Sequence, residues 1–260
     1  MGTKKVKKYP YVGRAGSARD FIRIVHELRE DRSYREIFED FLELSYCALA
    51  KTAALSLEDA DALERRYMKV AGTRDRAFIE AMPELLALAA TALNDPDGCD
   101  FLGDVAADLG TLNGEAGQFF TPFEVSKMMA TIILGDAGRT IDAKGYITID
   151  EPTAGAGGVI LAAASILGHG GHDASRQMFV RATDISLTAF KMCYVQLALR
   201  DIPAMVVHGD TLRLSVWDRR YTPAFFPFAA LQGSNFASWL RGDAEAEQSP
   251  ELLDDAMPAL

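Results

Sequence analysis

The sequence predicts an α/β fold, a parallel Rossmann-like sheet in the second half of the chain, preceded by an all-helical region. Three observations carry this. Short apolar runs at 147–151, 178–182 and 204–207 read as strands. Helical stretches at 159–167 and 187–199 separate them, which is the spacing of βαβ units. Between about residue 17 and residue 94 the apolar positions recur only at helical spacing. The expected organisation is a basic flexible arm at 1–16, a helical domain at 17–112, an α/β ligand-binding domain at 113–240 and an acidic tail at 241–260.

The helices come first. Ser17 stands at a possible cap, followed by the stripe Phe21, Ile24, Val25 and Leu28. Ser33 and Glu36 form a capping box that opens a second helix with Ile37, Phe38, Phe41, Leu42, Leu44 and Leu49 on its apolar face. Ser56 caps a third helix, and a fourth runs from about Arg74 to Leu93, stopped by Asn94-Asp95-Pro96-Asp97-Gly98. His26 reads as a packing residue. A short helix at 101–112 carries Leu102, Val105 and Leu109. After it stands Gly117-Gln118-Phe119-Phe120-Thr121-Pro122, two aromatics before a Thr-Pro helix start, with Thr121 as the expected N-cap. The helix that follows, 123–134, is expected to turn Val125, Met128, Met129 and Ile132 inward.

The strand ends carry the chemistry. Ile147–Leu161 reads as strand, glycine-rich turn and helix start, with Gly155, Gly157 and Gly158 permitting close backbone approach to a ligand. Such a turn after the first parallel strand is where doubly wound folds bind nucleotide-like cofactors. About thirty residues on, Asp184 ends the second strand, where a carboxylate can accept from two ribose hydroxyls or cap the next helix. The third strand ends in Gly209-Asp210-Thr211-Leu212. Together the three ends are far more specific than the glycine turn alone.

Composition narrows the class. Of 260 residues, 49% are hydrophobic and 25% charged, a globular balance. No apolar run approaches the roughly 18 residues needed to span a bilayer, and no apolar segment follows the N-terminal lysines, so a cytoplasmic protein without membrane contact is expected. Cys47, Cys99 and Cys193 are widely spaced and suggest neither a zinc site nor a disulfide framework. His169 and His172 have no third ligand near them, so no metal is expected. The net charge of −10 is uneven: residues 1–35 carry +6 and the remainder −16. The basic arm could touch DNA phosphates, whereas the rest of the chain does not suit a duplex-wrapping surface.

These motifs resemble the S-adenosylmethionine-dependent DNA adenine-N6 methyltransferases, specifically the modification subunits of type I restriction-modification systems. The resemblance covers roughly residues 100–215. It rests on Gly117–Pro122, on Glu151-Pro152-Thr153-Ala154-Gly155-Ala156-Gly157-Gly158, on Thr183-Asp184-Ile185 and on Gly209-Asp210-Thr211-Leu212. It implies a class I methyltransferase domain with S-adenosylmethionine as cofactor. By the same resemblance, Gly117, Gln118, Phe119, Phe120, Thr121 and Pro122 line the methionine and sulfonium side. Ala156, Gly157 and Gly158 admit the methionine moiety, with Glu151, Thr153 and Gly155 in the same turn and Glu151 where the family usually has aspartate. Asp184 holds the ribose with Ile185 beside it, and Gly209, Asp210 and Thr211 lie beside the adenine.

The chain departs from the family at the catalytic signature, Asn/Asp-Pro-Pro-Tyr/Phe after a fourth strand. There the asparagine oxygen and a proline carbonyl accept from the target amine, and the aromatic stacks on a flipped base. Phe226-Pro227-Phe228 resembles its tail, but Phe225 stands in the asparagine position and cannot accept a hydrogen bond. Ser234-Asn235-Phe236 lacks the prolines. The expectation is therefore cofactor binding without a catalytic residue. The alternatives are a non-catalytic interaction or anti-restriction protein, and a subunit whose partner completes the active site. A truncated sheet is also expected. Its edge beyond the first strand would be open to a protein partner or a second copy, or covered by Trp217, Phe225, Phe226, Phe228 and Trp239 folding back.

Overall fold

A computed structural model describes residues 16–30, 32–112 and 120–248, with backbone alone for 235 and 238–248. Helices α1 (Gly16–Glu27), α2 (Tyr34–Lys51), α3 (Leu57–Ala71), α4 (Arg76–Leu93) and α5 (Phe101–Asp108) make the helical half. Their starts follow the sequence signals. The Ser33–Glu36 capping box forms in both directions, Ser56 Oγ accepts from the Asp59 N–H at 3.1 Å, and Asp75 caps α4. His26 is half-buried and hydrogen-bonds Tyr34 through Nδ1 at 2.5 Å.

The second half alternates α6 (Phe123–Ile133), α7 (Ala137–Lys144), β1 (Ile147–Glu151), α8 (Gly158–His169), α9 (Ala174–Gln177), β2 (Met178–Asp184), α10 (Leu187–Leu199), β3 (Ala204–Asp210), β4 (Ser215–Tyr221) and α11 (Phe225–Gln248). The sheet order is β1-β2-β3-β4, with β1, β2 and β3 parallel and β4 antiparallel to β3. This is the Rossmann-like α/β class that the strand–helix alternation predicts. The three anticipated strands are all present, and α8 and α10 are the crossovers.

Alternation of side chains divides the sheet into two faces. Ile147, Ile149, Val180, Ala182, Ala204 and Val206 face α8, α10 and the helical half, in one core that runs continuously from Ala18 to Val206. Phe179, Met205 and Val207 face the other way and pack against Phe225, Phe228 and Phe236 of α11. Each such phenyl group contributes roughly 1.5–3 kcal/mol by leaving water. The C-terminal aromatics therefore cover a sheet face and not the edge beyond β1. Trp217 is away from them, edge-on to His208 at 4.8 Å, and Trp239 lies among the residues whose side chains are not described. Helix α11 is interrupted at Gly233 and continues through residue 248, past the boundary expected at 240.

Two local expectations fail. Thr121 does not cap α6; Pro122 occupies the cap position with no side-chain bond. The apolar stripe of α6 faces outward: Val125, Met128, Met129 and Ile132 are 41%, 59%, 40% and 74% exposed. The buried positions are the small Ser126 and Ala130, because the Ala-rich α8 accepts a neighbour only at close range.

Candidate functional site

The carboxyl ends of β1, β2 and β3 come together on one edge of the sheet, as the doubly wound rule requires. Asp184 is the hub. Its Oδ2 accepts from the Gly155 N–H at 2.8 Å and its Oδ1 from the Ser186 N–H at 2.8 Å. One carboxylate thus orients the turn after β1 and the entry to α10. Each oxygen keeps further acceptor capacity, and the residue is only half-buried. Beside it the Ala154 N–H donates to the Thr183 carbonyl at 2.8 Å, and Thr211 Oγ1 donates to the Pro152 carbonyl at 2.7 Å. The three strand-end loops are fastened to one another before any ligand arrives.

The predicted site residues fall into three groups. Glu151, Thr153, Gly155, Asp184, Ile185, Asp210 and Thr211 are gathered at this end of the sheet. Glu151 Oε1 accepts from the Thr153 N–H at 3.2 Å, and Ile185 is 60% exposed. Asp210 Oδ1 accepts from the N–H groups of Leu212 and Arg213 at 3.0 and 3.1 Å, which forms the turn after β3. Gly209 lies at a register irregularity of the β3–β4 pair. Phe120 joins the site from the hexapeptide: its ring stands 3.0 Å from where a Cβ on Gly155 would lie. Gly155 also has φ of +56°, so only glycine satisfies both constraints. Thr121 and Pro122 follow Phe120 at the surface. Gly117, Gln118 and Phe119 lie outside the described residues.

Ala156, Gly157 and Gly158 form the third group, and all are buried. Gly157 packs on Cys193, while a Cβ at Gly158 would come within 2.7 Å of Asp100 Oδ2. Their small size is required by the packing beneath the turn. That packing contains a network the sequence did not reveal. Gln196, fully buried in α10, donates from Nε2 to Asp100 Oδ1 at 2.8 Å and to the Ala156 carbonyl at 2.7 Å, and its Oε1 accepts from the Leu102 N–H at 2.9 Å. Asp100 Oδ1 also accepts from the Gly103 N–H at 3.0 Å. Burial pushes the Asp100 carboxyl up to about 6, against the lowering effect of these hydrogen bonds. Burial, with Asp184, Asp100 and Glu151 nearby, holds the Cys193 thiol well above its ordinary range and hence protonated.

The region expected to hold the catalytic signature lies elsewhere. Trp217–Tyr221 belongs to β4, on the far side of β3 from β1. Phe225 is 8% exposed and packs between Tyr221 and Phe179. Among the described residues no group of three or more His, Cys, Asp or Glu could hold a metal ion. None of the helices among them is long and apolar enough to cross a membrane.

The fold and the joined strand ends define a Rossmann-like α/β protein with a candidate ligand site at the carboxyl ends of its parallel strands. Residues 101–223 match the family described as N-6 DNA methylase, so the segment from α5 through β4 is related to those enzymes. No curated protein matches the chain. Among solved structures, similarity is found to a Listeria monocytogenes protein described as a class I S-adenosylmethionine-dependent methyltransferase. The identity is 12% and the TM-score 0.44, over 75% of this chain and 54% of that one. The chain thus spans about half the length of that protein.

Proposed function

We propose that this chain is an S-adenosylmethionine-binding relative of the DNA adenine-N6 methylases that does not transfer the methyl group by itself. The observation that carries the binding is Asp184, a half-buried carboxylate that already joins the β1 turn to the α10 entry and retains acceptor capacity. The residues fit the cofactor. Asp184 would accept from the ribose hydroxyls, Ile185 offers an apolar surface to the adenine, and Phe120 over Gly155 supplies an aromatic wall on the other side. When bound, the cofactor supplies an activated methyl group on its sulfonium.

The second part of the proposal concerns the acceptor. The Phe225 side chain has no atom that could take a proton or accept from an amine, and it is packed in the α11 core. Among the described residues no asparagine side chain is held beside β1 to align an adenine amine and stabilise its developing charge. Restriction-modification ancestry and DNA contact through the basic residues of 1–16 are part of the same reading.

Calorimetric titration tests it. S-Adenosylmethionine and S-adenosylhomocysteine should both bind, and Asp184→Ala should weaken both by on the order of tenfold or more through lost charge-assisted hydrogen bonds. Absence of heat with either ligand would refute the binding. Transfer of a labelled methyl group to unmethylated DNA by the chain alone would refute the second part.

A further inference from the structure

The turn after β1 is held from two directions. From the end of β2, the Thr183 carbonyl accepts from the Ala154 N–H and Asp184 Oδ2 from the Gly155 N–H, both at 2.8 Å. The Gly157 N–H closes the turn on the Ala154 carbonyl at 2.8 Å. The Ala156 carbonyl points into the buried packing, where Gln196 Nε2 of α10 donates to it at 2.7 Å. Among the described residues no backbone N–H donates to that carbonyl. Without Gln196 the peptide between Ala156 and Gly157 is able to turn over. The rotation takes Gly157 from φ of +96° into the negative region, which glycine adopts as readily. It swings the carbonyl oxygen to the other side of the turn and withdraws the Gly157 N–H from Ala154.

We infer that Gln196 is a positioning residue for the cofactor, which keeps this peptide with its carbonyl turned away from the ligand. The role rests on the S-adenosylmethionine reading of the site, in which the methionine moiety lies against Ala156, Gly157 and Gly158. A carbonyl oxygen turned outward there takes the space that these small residues keep open. Gln196 cannot itself turn over. Its Nε2 faces Asp100 Oδ1 at 2.8 Å as well as the Ala156 carbonyl, and its Oε1 faces the Leu102 N–H at 2.9 Å. The reversed amide would set an oxygen against two acceptors and a nitrogen against a donor, all of them buried. Asp100 is fixed in turn by the Gly103 N–H at 3.0 Å. Asp100 caps α5 and Leu102 lies in its first turn, both in the helical half. The helical half therefore sets the backbone of the cofactor turn through one side chain. Asp184 acts on a different residue of the turn, Gly155, so the two roles are separable.

Hydrogen exchange and calorimetry on the full chain test this role in Gln196→Leu and Gln196→Asn. The asparagine, a methylene shorter, keeps an amide for Asp100 but does not reach Ala156 as well, and it serves if the leucine variant fails to fold. In both variants the Gly157 amide should lose protection while the Gly155 amide, held by Asp184, keeps its own. S-Adenosylhomocysteine should bind more weakly by on the order of tenfold, because affinity falls with the fraction of molecules whose turn is correctly set. Asp100→Asn still offers an oxygen to the Gln196 amide and should retain most of the affinity. Arg220→Ala, which unties β4 from α3 on the far flank, should retain all of it. Gln196 variants that bind as tightly as the wild type, or that lose Gly155 and Gly157 protection alike, overturn the positioning role and leave the cofactor reading standing. An affinity lost equally in Arg220→Ala does the same. A wild type that binds neither S-adenosylmethionine nor S-adenosylhomocysteine overturns the cofactor reading and this role with it.

Discussion

The two flanks of the sheet are finished in opposite ways. On the β3 side the chain adds an antiparallel strand and fastens it. Arg220 of β4 reaches Asp59 of α3 at 2.5 Å and the Tyr46 hydroxyl of α2 at 3.1 Å, and Tyr194 donates to the Tyr221 carbonyl at 3.1 Å. Close by, Lys191 of α10 and Arg66 of α3 share Glu43 of α2 at 2.7 and 2.8 Å. On the β1 side, among the described residues, the strand edge is bare and the apolar stripe of α6 is uncovered. The difference separates two kinds of stability. The β3 flank and the floor of the candidate site are held by polar groups that must find specific partners. On the β1 flank no such polar fastening is found among the described residues.

If this contrast is correct, the largest effect should come from the floor of the site. Gln196→Leu keeps the bulk but removes the hydrogen bonds that this side chain donates to Asp100 and the Ala156 carbonyl and the one it accepts from the Leu102 N–H. Leaving buried groups unpaired costs on the order of 3–4 kcal/mol in total. Chemical denaturation should show that loss, and a cost below about 1 kcal/mol would mean that the network does not hold the two halves together.

The next effect is a pH dependence from the same place. The folded-state pKa of Asp100, about 6, lies above its ordinary value of 3.8. Its contribution is therefore fully present below the ordinary value and is lost as pH rises through about 6. Across that window the linkage amounts to at most about 3 kcal/mol. Denaturation of the wild type from about pH 4 to pH 7, compared with Asp100→Asn, should show the wild type losing stability with rising pH and the variant losing less. Parallel profiles would put the carboxyl in a wetter site.

The contrast between flanks also explains what the sequence could and could not reveal. The three parallel strands and the strand-end positions of Asp184 and Gly155 were legible because each carries a local signal. The β4 strand was not, since Trp217–Tyr221 lacks clean alternation and its partner is set by tertiary packing. The Asp100–Gln196 network was hidden because its members are ninety-six residues apart and neither has a sequence signature. The α6 stripe was read correctly as amphipathic but assigned the wrong side. Periodicity finds an apolar face; it cannot say whether this chain or another covers it.

The smallest predicted effect tests whether the flanks are independent. Arg220 is 20% exposed and its partner Asp59 23%, so solvent discounts the ion pair, and Arg220→Ala should cost about 1–2 kcal/mol. The location of the change matters more than its size. Hydrogen exchange should show amides of β4 losing protection, while the β1–β2 ladder keeps its own, because the Arg220 side chain bonds to α2, α3 and β4. Equal loss in β1 would mean that strain crosses the whole sheet and that the bare edge is held in place from the far side.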